Sequence, residues 1–306
     1  MTKILVATEK PFASTAVEGI KKILSDAGFE TLLLEKYTDP DDLVKAVADV
    51  DGLIIRSDKA SRQVIESAKN LKIIVRAGAG YDNIDLAAAT EKGIVAMNTP
   101  GQNSNAVAEL TFGMLVFMAR ANFKGGSGTE LKGKKIGIHA YGNVGKNVAR
   151  IAKGFDMDVY AFDPFVQKEV LEKDGVKPAA SIEELYSTCH YISLNIPATE
   201  KTKNSINFEL LSKMPKGATL INTARKEVIH EEDLKKIFSA RPDFKYISDI
   251  MPDCHNDLLQ FDTRYYCTPK KQGAETSEAN INAGLAAANQ IVKFIKTGDK
   301  TFQVNK

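Results

Sequence analysis

The run KKIGIHA leads into Ala140-Tyr-Gly142-Asn143-Val144-Gly145, a helical stretch follows, and a second strand-like run closes on Asp163. That order suits a dinucleotide. The second glycine of such a loop lets backbone approach a pyrophosphate, the third lets helix pack closely on strand, and the helix N–H groups face the phosphates. Ala140 stands where a first glycine usually makes the tight turn. An acidic residue 18 positions beyond Gly145 completes the pattern. Asp163 is placed to accept hydrogen bonds from the adenosine ribose hydroxyls and would repel a 2′-phosphate, so NAD is expected rather than NADP. The plainer reading of Asp163 is a cap on the turn before Pro164. Cys189, Cys254 and Cys267 are an odd set without metal-ligand spacing; free thiols in a reducing compartment are expected, and no metal site.

These residues need a frame to hold them. A chain of 306 residues is long enough for two domains. With 41 basic against 39 acidic side chains the formal net charge is +2, which gives no electrostatic reason to expect nucleic acid or an anionic membrane. The start, MTKILVATEK, is too short and polar for a signal peptide. The most apolar stretch, Leu110 to Ala121, is about half of what spans a bilayer, so a cytoplasmic location is expected.

Short apolar runs alternate with helical patterns. KILVAT, TLLLEK, GLIIRS, KIIVRAG and GIVAMN read as strands; AVEGIKKILSDAG, DDLVKAVADV and SRQVIESAKN read as helices. In the first helix Val17, Ile20, Ile23 and Leu24 share one face. Such alternation implies parallel strands with right-handed crossovers. The pattern breaks at NTPGQNS, a helix follows from Asn103 to Asn122, and FKGGSGTELKG reads as a flexible connector. Met114, Phe117 and Met118 form an apolar stripe on that helix, read as core or subunit interface. KKIGIHA, DVYAFD, YISLNI, ATLINT and KYISDI are the strands of a second series, and a final helix, Ala279 to Thr297, is expected to pack back on the first domain. The fold class is therefore α/β, with two doubly wound parallel-sheet domains. A Rossmann domain over 100–275 is inserted into a smaller flavodoxin-like domain formed by 1–99 and 276–306.

The segments IIRSDKA, IVRAGAGYDNIDLAAATEKGI, MNTPGQNSNAVAELTFGM, GTELKGKKIGI, YISLNIPATEKTKN, LINTARKEVIHEEDL and CTPKKQGAET run nearly the length of the chain. Together they resemble the D-2-hydroxyacid dehydrogenase family, and within it the members acting on 3-phospho-D-glycerate. The resemblance implies that the first domain binds substrate, that the inserted domain binds NAD, and that the reaction is metal-free. It implies that Arg225 holds the carboxylate and carbonyl of a 2-oxo acid, a task suited to a planar, bidentate guanidinium. Backbone N–H groups of Ala79 and Gly80 would bind the carboxylate, and Asn195, Pro197, Thr223 and Asp249 would line the NAD cleft.

Two catalytic positions depart from the family pattern. Lys270 stands where a histidine usually follows Thr-Pro, and Cys254 stands at the spacing of the glutamate that orients it, with Asp253 one residue earlier. Lys270 is expected as the acid/base, with Asp253 as its orienting carboxylate and His255 as an alternative acid/base. To accept a proton the lysine must be neutral, far from the ordinary value of ~10.4, and desolvation or nearby cations would have to achieve that. His139, His190 and His230 are read as structural. Lys226 replaces a common glycine, with no role assigned from sequence.

Arg56-Ser57 and Arg76 fall at strand ends, where α/β sheets place ligands. With Lys59 nearby they would suit the phosphate of 3-phospho-D-glycerate, and Asn103 could reach the phosphate or carboxylate side. Two rivals stand: a glyoxylate or hydroxypyruvate reductase of the same family, and an NAD-sensing protein without turnover. The expected partners are a small anionic 2-hydroxy acid and a second copy of the chain, a homodimer formed through the NAD domains. No serine-binding regulatory domain is expected after the last helix.

Overall fold

The structure is a computed structural model describing residues 1–305. It divides into two compact units, Met1–Asn103 with Glu275–Lys306, and Ser104–Ala274.

The first unit contains β1 (Lys3–Thr8), α1 (Ser14–Asp26), β2 (Glu30–Glu35), α2 (Pro40–Ala46), β3 (Gly52–Ile55), α3 (Arg62–Ser67), β4 (Ile73–Arg76), α4 (Leu86–Glu91) and β5 (Val95–Asn98), and the returning helix α12 (Ser277–Thr297). Its five parallel strands run in the order β2-β1-β3-β4-β5, the flavodoxin-like arrangement. Strands β3 and β5 are buried along their whole length, as expected of a parallel sheet covered on both faces. Ile54 and Ile55 are fully buried and belong to different apolar layers; truncating either to alanine would cost about 2–5 kcal/mol. Helices start where side chains can cap them: Asp39, Ser61, Asp85 and Thr276 each accept a hydrogen bond from the first turn. Helix α12 packs on α1. A Cβ at Gly19 would lie 2.5 Å from Leu285 Cδ2, so glycine permits that approach.

The second unit contains α5 (Ser104–Ala119), β6 (Lys135–His139), α6 (Asn143–Gly154), β7 (Asp158–Phe162), α7 (Lys168–Lys173), β8 (Lys177–Pro178), α8 (Ile182–Thr188), β9 (Tyr191–Leu194), α9 (Phe208–Ser212), β10 (Thr219–Asn222), α10 (Glu231–Ala240), β11 (Lys245–Ser248), α11 (His255–Leu258) and β12 (Tyr265–Cys267). Its seven parallel strands are ordered β12-β11-β10-β9-β6-β7-β8. The order reverses between β6 and β9, which opens a crevice at their carboxyl ends. Sequence reading missed β8 and β12. They are edge strands of 2 and 3 residues, too short to show an apolar pattern. The first helix of this unit also ends earlier than expected. After Ala119 the chain turns through Ala121, Asn122 and Phe123, all at positive φ. Met114 and Met118 are buried in the core, while Phe117 packs its ring on Tyr266 at 4.8 Å.

Candidate active site

The small unit brings its charged residues to the carboxyl ends of β3 and β4, beside the switch point between β1 and β3. Arg56 and Ser57 follow β3, and Arg76 ends β4. Arg76 Nε donates to the Arg56 carbonyl at 3.0 Å, and Asn83 Nδ2 donates to the same oxygen at 3.3 Å and to the Asp58 carbonyl at 2.6 Å. Asp58, only 2% exposed, organises the strand end. Its carboxylate accepts from Glu9 N (2.7 Å), the Tyr37 hydroxyl (2.7 Å) and Arg56 N (3.1 Å). Burial, reinforced by Asp58, raises the Tyr37 pKa and keeps the phenol protonated as a donor. The Arg56 guanidinium pairs with Glu275 at 3.3 Å.

The AGAG loop lies against this pair. Gly78 has φ +150°, and a Cβ there would fall 1.6 Å from Arg76 Nη1, so the guanidinium occupies space that only glycine leaves open. Gly78 N donates to Thr99 Oγ1 (2.7 Å), and Asn98 Nδ2 donates to the Ala79 carbonyl (2.6 Å). Ala79, Ser57 and Lys59 are exposed, whereas Gly80 and Asn103 are half-buried. Neither Asp58 nor Asn83 was singled out from sequence. The available signal was an acidic residue three positions after a fully apolar strand.

In the second unit, Gly142 caps α6 without a side chain, and open space lies where its Cβ would stand. A Cβ at Gly145 would meet the Ala140 carbonyl oxygen at 2.4 Å, so this glycine permits close packing of helix on strand. Ala140 adopts φ +75°, the left-handed conformation that a first glycine would take without strain. Asp163 caps its turn through Phe165 N (2.9 Å) and also accepts from Tyr141 N in the glycine loop (2.8 Å). Asn143 is exposed and Val144 half-buried. Burial holds the His139 imidazole down at about 4, so it is neutral; its Nδ1 lies 3.2 Å from the Tyr186 hydroxyl.

At the ends of β9 and β10 the accounting of polar groups is incomplete. Asn195 donates through Nδ2 to the Ser193 carbonyl (3.1 Å), but its buried Oδ1 accepts nothing. Thr223 is 7% exposed, and its Oγ1 is likewise buried without a partner. Unpartnered buried polar atoms are rare in native proteins and call for a ligand or water. With a side-chain-free helix start and an exposed Pro197 beside them, these atoms fit a bound dinucleotide.

Arg225 is presented by the turn after β10. Fully buried Asn222 accepts from Ala224 N (3.0 Å) and donates to the Arg225 carbonyl (3.0 Å). The guanidinium is exposed, and Nη1 donates to the Ala224 carbonyl at 2.8 Å. Asp249 directly follows β11. It is fully buried and accepts from Thr268 Oγ1 (2.9 Å), Gln272 N (2.8 Å) and Gly273 N (2.7 Å). It therefore anchors both ends of the loop that carries exposed Lys270.

The expectation for Asp253 needs correction. Its side chain is 78% exposed and pairs with Lys226 Nζ at 2.5 Å, while its backbone N–H and that of Cys254 donate to Glu231 (2.9 and 2.7 Å). Among the described residues no hydrogen bond or ion pair joins it to Lys270. Lys226, without a role in the sequence reading, thus ties the Arg225 turn to the 249–254 loop. His255 Nδ1 lies 2.7 Å from the Tyr265 hydroxyl, and His230 caps α10. The three cysteines are free thiols, pushed up by burial to about 12, 12 and 11 for Cys189, Cys254 and Cys267. Among the described residues no group of His, Cys, Asp and Glu could hold a metal ion, and no helix is long and apolar enough to cross a membrane.

Comparison with known proteins bears on this arrangement. Residues 116–256 match the D-isomer specific 2-hydroxyacid dehydrogenase, NAD binding domain. A hydroxypyruvate reductase of Thermotoga maritima is 36% identical over 284 residues, covering 86% of this chain and 91% of that protein. The chain belongs to the D-2-hydroxyacid dehydrogenase family. This dehydrogenase is also 39% identical over 316 residues to a D-3-phosphoglycerate dehydrogenase of Methanocaldococcus jannaschii, a match that covers 97% of this chain and 58% of that protein. The chain thus spans little more than half the length of that relative. It is similar as well to the crystal structure of NAD+-bound 3-phosphoglycerate dehydrogenase of Entamoeba histolytica, with 49% identity, a TM-score of 0.87 and coverage of 100% and 99% of the two chains. NAD is the dehydrogenase's cofactor.

Proposed function

We propose that this dehydrogenase oxidises 3-phospho-D-glycerate to 3-phosphohydroxypyruvate, the first step of serine biosynthesis. The observation that carries the reading is the juxtaposition of Arg56 and Arg76 at adjacent strand ends, locked together through the Arg56 carbonyl. Two guanidiniums suit a substrate with a phosphate at its far end. The similar phosphoglycerate dehydrogenases support the same choice.

NAD, when bound, takes up the hydride. Gly142, Asn143, Val144 and Gly145 hold its pyrophosphate, Asp163 its adenosine ribose, and Asn195, Pro197 and Thr223 complete its surroundings. Ala79 and Gly80 offer backbone N–H groups to the substrate carboxylate, while Arg56, Ser57, Arg76 and Asn103 take the phosphate end. Arg225 engages carboxylate and C2 oxygen bidentately and stabilises charge on that oxygen. Lys270 accepts the hydroxyl proton during oxidation and returns it during reduction. Asp249 positions Lys270 through the Thr268–Gly273 loop. Asp253 acts through Lys226 on the turn that presents Arg225, in place of the direct contact with Lys270 expected from sequence.

The test is NADH formation from 3-phospho-D-glycerate between pH 6 and 10. Wild-type activity should rise with pH, as general-base catalysis requires, and Lys270→Ala should abolish that rise. Arg56→Ala and Arg76→Ala should each raise KM for the phosphorylated substrate about 10- to 100-fold, the worth of a charge-assisted contact. The similarity to a hydroxypyruvate reductase supports a second reading, in which unphosphorylated hydroxypyruvate or glyoxylate is reduced and neither arginine variant changes KM. NAD binding without turnover of any of these acids would favour a sensing role. We also propose a homodimer through the NAD unit, where Phe123 is 67% exposed beside α5; a monomeric mass in solution would exclude it.

A further inference from the structure

A second cavity lies wholly within the small unit, beside the edge strand β5 and apart from Arg56 and Arg76. One face of α12, with Asn289, Gln290 and Lys293, faces the C-terminal residues Asp299 and Phe302 and the stretch after β5 that includes Pro100. The space between them is about 160 Å³. A single water needs only ~10–15 Å³.

The walls are pinned in place. Val304 N donates to the Ala96 carbonyl (2.8 Å), Ala96 N donates to Asn305 Oδ1 (2.7 Å), and Asn305 Nδ2 donates to the Ile94 carbonyl (2.8 Å). Asp299 Oδ1 takes both Thr301 N (2.9 Å) and Thr301 Oγ1 (2.6 Å). These bonds fix the C-terminal residues opposite α12 before any ligand arrives.

The chemistry of the lining is unbalanced. Gln290 is 8% exposed, and its Oε1 is buried with no hydrogen-bond donor. Lys293 and Asp299 place opposite charges on the same cavity, yet no ion pair closes between them among the described residues. A buried acceptor awaiting a donor, a separated ammonium and carboxylate, and apolar wall from Met97 and Phe302 describe a ligand with both charges and a short side chain. We propose that this cavity binds a small zwitterion of the α-amino acid class. The ligand ammonium donates to Gln290 Oε1 and Asp299, its carboxylate meets Lys293, and its side chain rests on Met97 and Phe302. Because Pro100 lines the cavity, the ligand touches the stretch where the chain leaves the small unit. The proposal is independent of the substrate assigned above.

Thermal unfolding of the full chain with NAD present, against the standard amino acids at millimolar concentration, tests it. At least one should raise Tm saturably, whereas equal concentrations of methylammonium and acetate should not. Lys293→Met should weaken the calorimetric Kd about tenfold or more, as loss of a charge-assisted contact does. Gln290→Leu should weaken it similarly, yet raise the ligand-free Tm, because it removes a buried acceptor without a partner. NADH fluorescence, unchanged in both variants, reports that they fold. Lys293 is exposed, so its variant decides the matter even if Gln290→Leu does not fold. The proposal is overturned if no amino acid shifts Tm, if the shift persists with the same Kd in Lys293→Met, or if Gln290→Leu lowers the ligand-free Tm while folding.

Discussion

The carboxyl end of the small sheet and the carboxyl end of the NAD sheet are built on one plan and finished differently. At β3 and β4 the polar groups satisfy one another. Asp58 collects Glu9 N, Tyr37 Oη and Arg56 N, while Arg76 and Asn83 both donate to the Arg56 carbonyl. At β9 and β10, Asn195 Oδ1 and Thr223 Oγ1 are buried and accept or donate nothing. A buried group left without a partner costs about 1–3 kcal/mol, so the second edge is complete only with a ligand or water against these atoms. At β3 and β4 the first edge presents fixed charge, with Thr8 Oγ1 buried and unpartnered at the end of neighbouring β1; the second leaves hydrogen-bonding capacity unmet at β9 and β10.

The contrast can be broken most forcefully at Asp58. Asp58→Ala removes the acceptor of three donors and should lower stability by about 3 kcal/mol, measured by urea unfolding, with KM for the phosphorylated substrate rising as well. A variant as stable as wild type would mean that Asp58 does not organise the arginines.

Next in size is an acid effect at the second edge. His139 is held at about 4 by burial, against an ordinary value near 6.5. The folded state therefore binds fewer protons than the unfolded chain between these values. The neutral histidine's contribution is fully present above about pH 6.5 and is lost as pH falls toward 4. It should be about 3 kcal/mol, and His139→Phe should flatten the stability profile in that window. An unchanged profile would place the acid sensitivity elsewhere.

Thr223→Val sharpens the comparison by reversing its sign. Replacing an unpartnered buried hydroxyl with a methyl should stabilise the ligand-free protein by about 1 kcal/mol and weaken NAD binding, the opposite of the Asp58 result. Destabilisation together with unchanged NAD affinity would show that Thr223 belongs to the core and not to the cofactor's surroundings.

The smallest effect is expected at Ala140. Ala140→Gly relieves a left-handed alanine worth about 1–2 kcal/mol, but glycine's greater freedom in the unfolded chain offsets roughly 0.4–1 of this. A net gain below about 1 kcal/mol should appear as a small rise in Tm.

Much of the fold was legible because it depends on local periodicity. Predominantly apolar runs such as GLII and YISL fit between two covered faces, where both are fully buried, and the alternation of strands with helices forces parallel pairing. Strands β8 and β12 were not legible, because edge strands of 2 and 3 residues exist through their neighbours' hydrogen bonds. The cofactor loop could be read from the glycines and the acidic residue beyond them. Its strain at Ala140 could not, because φ belongs to the folded turn.

The sequence by itself determined the layered α/β fold, the dinucleotide loop and the family, since these rest on residue types at fixed short spacing. Only the tertiary structure decided where each carboxylate sits and what it bonds. Asp249 and Asp253 are four positions apart in the same segment, yet one is fully buried under the Lys270 loop and the other is exposed on Lys226. Their partners, Thr268 to Gly273 for one and Lys226 for the other, come from chain segments 19 to 27 residues away. Such pairings are set when strands from separate parts of the chain pack side by side, and residue spacing within any one segment does not encode them.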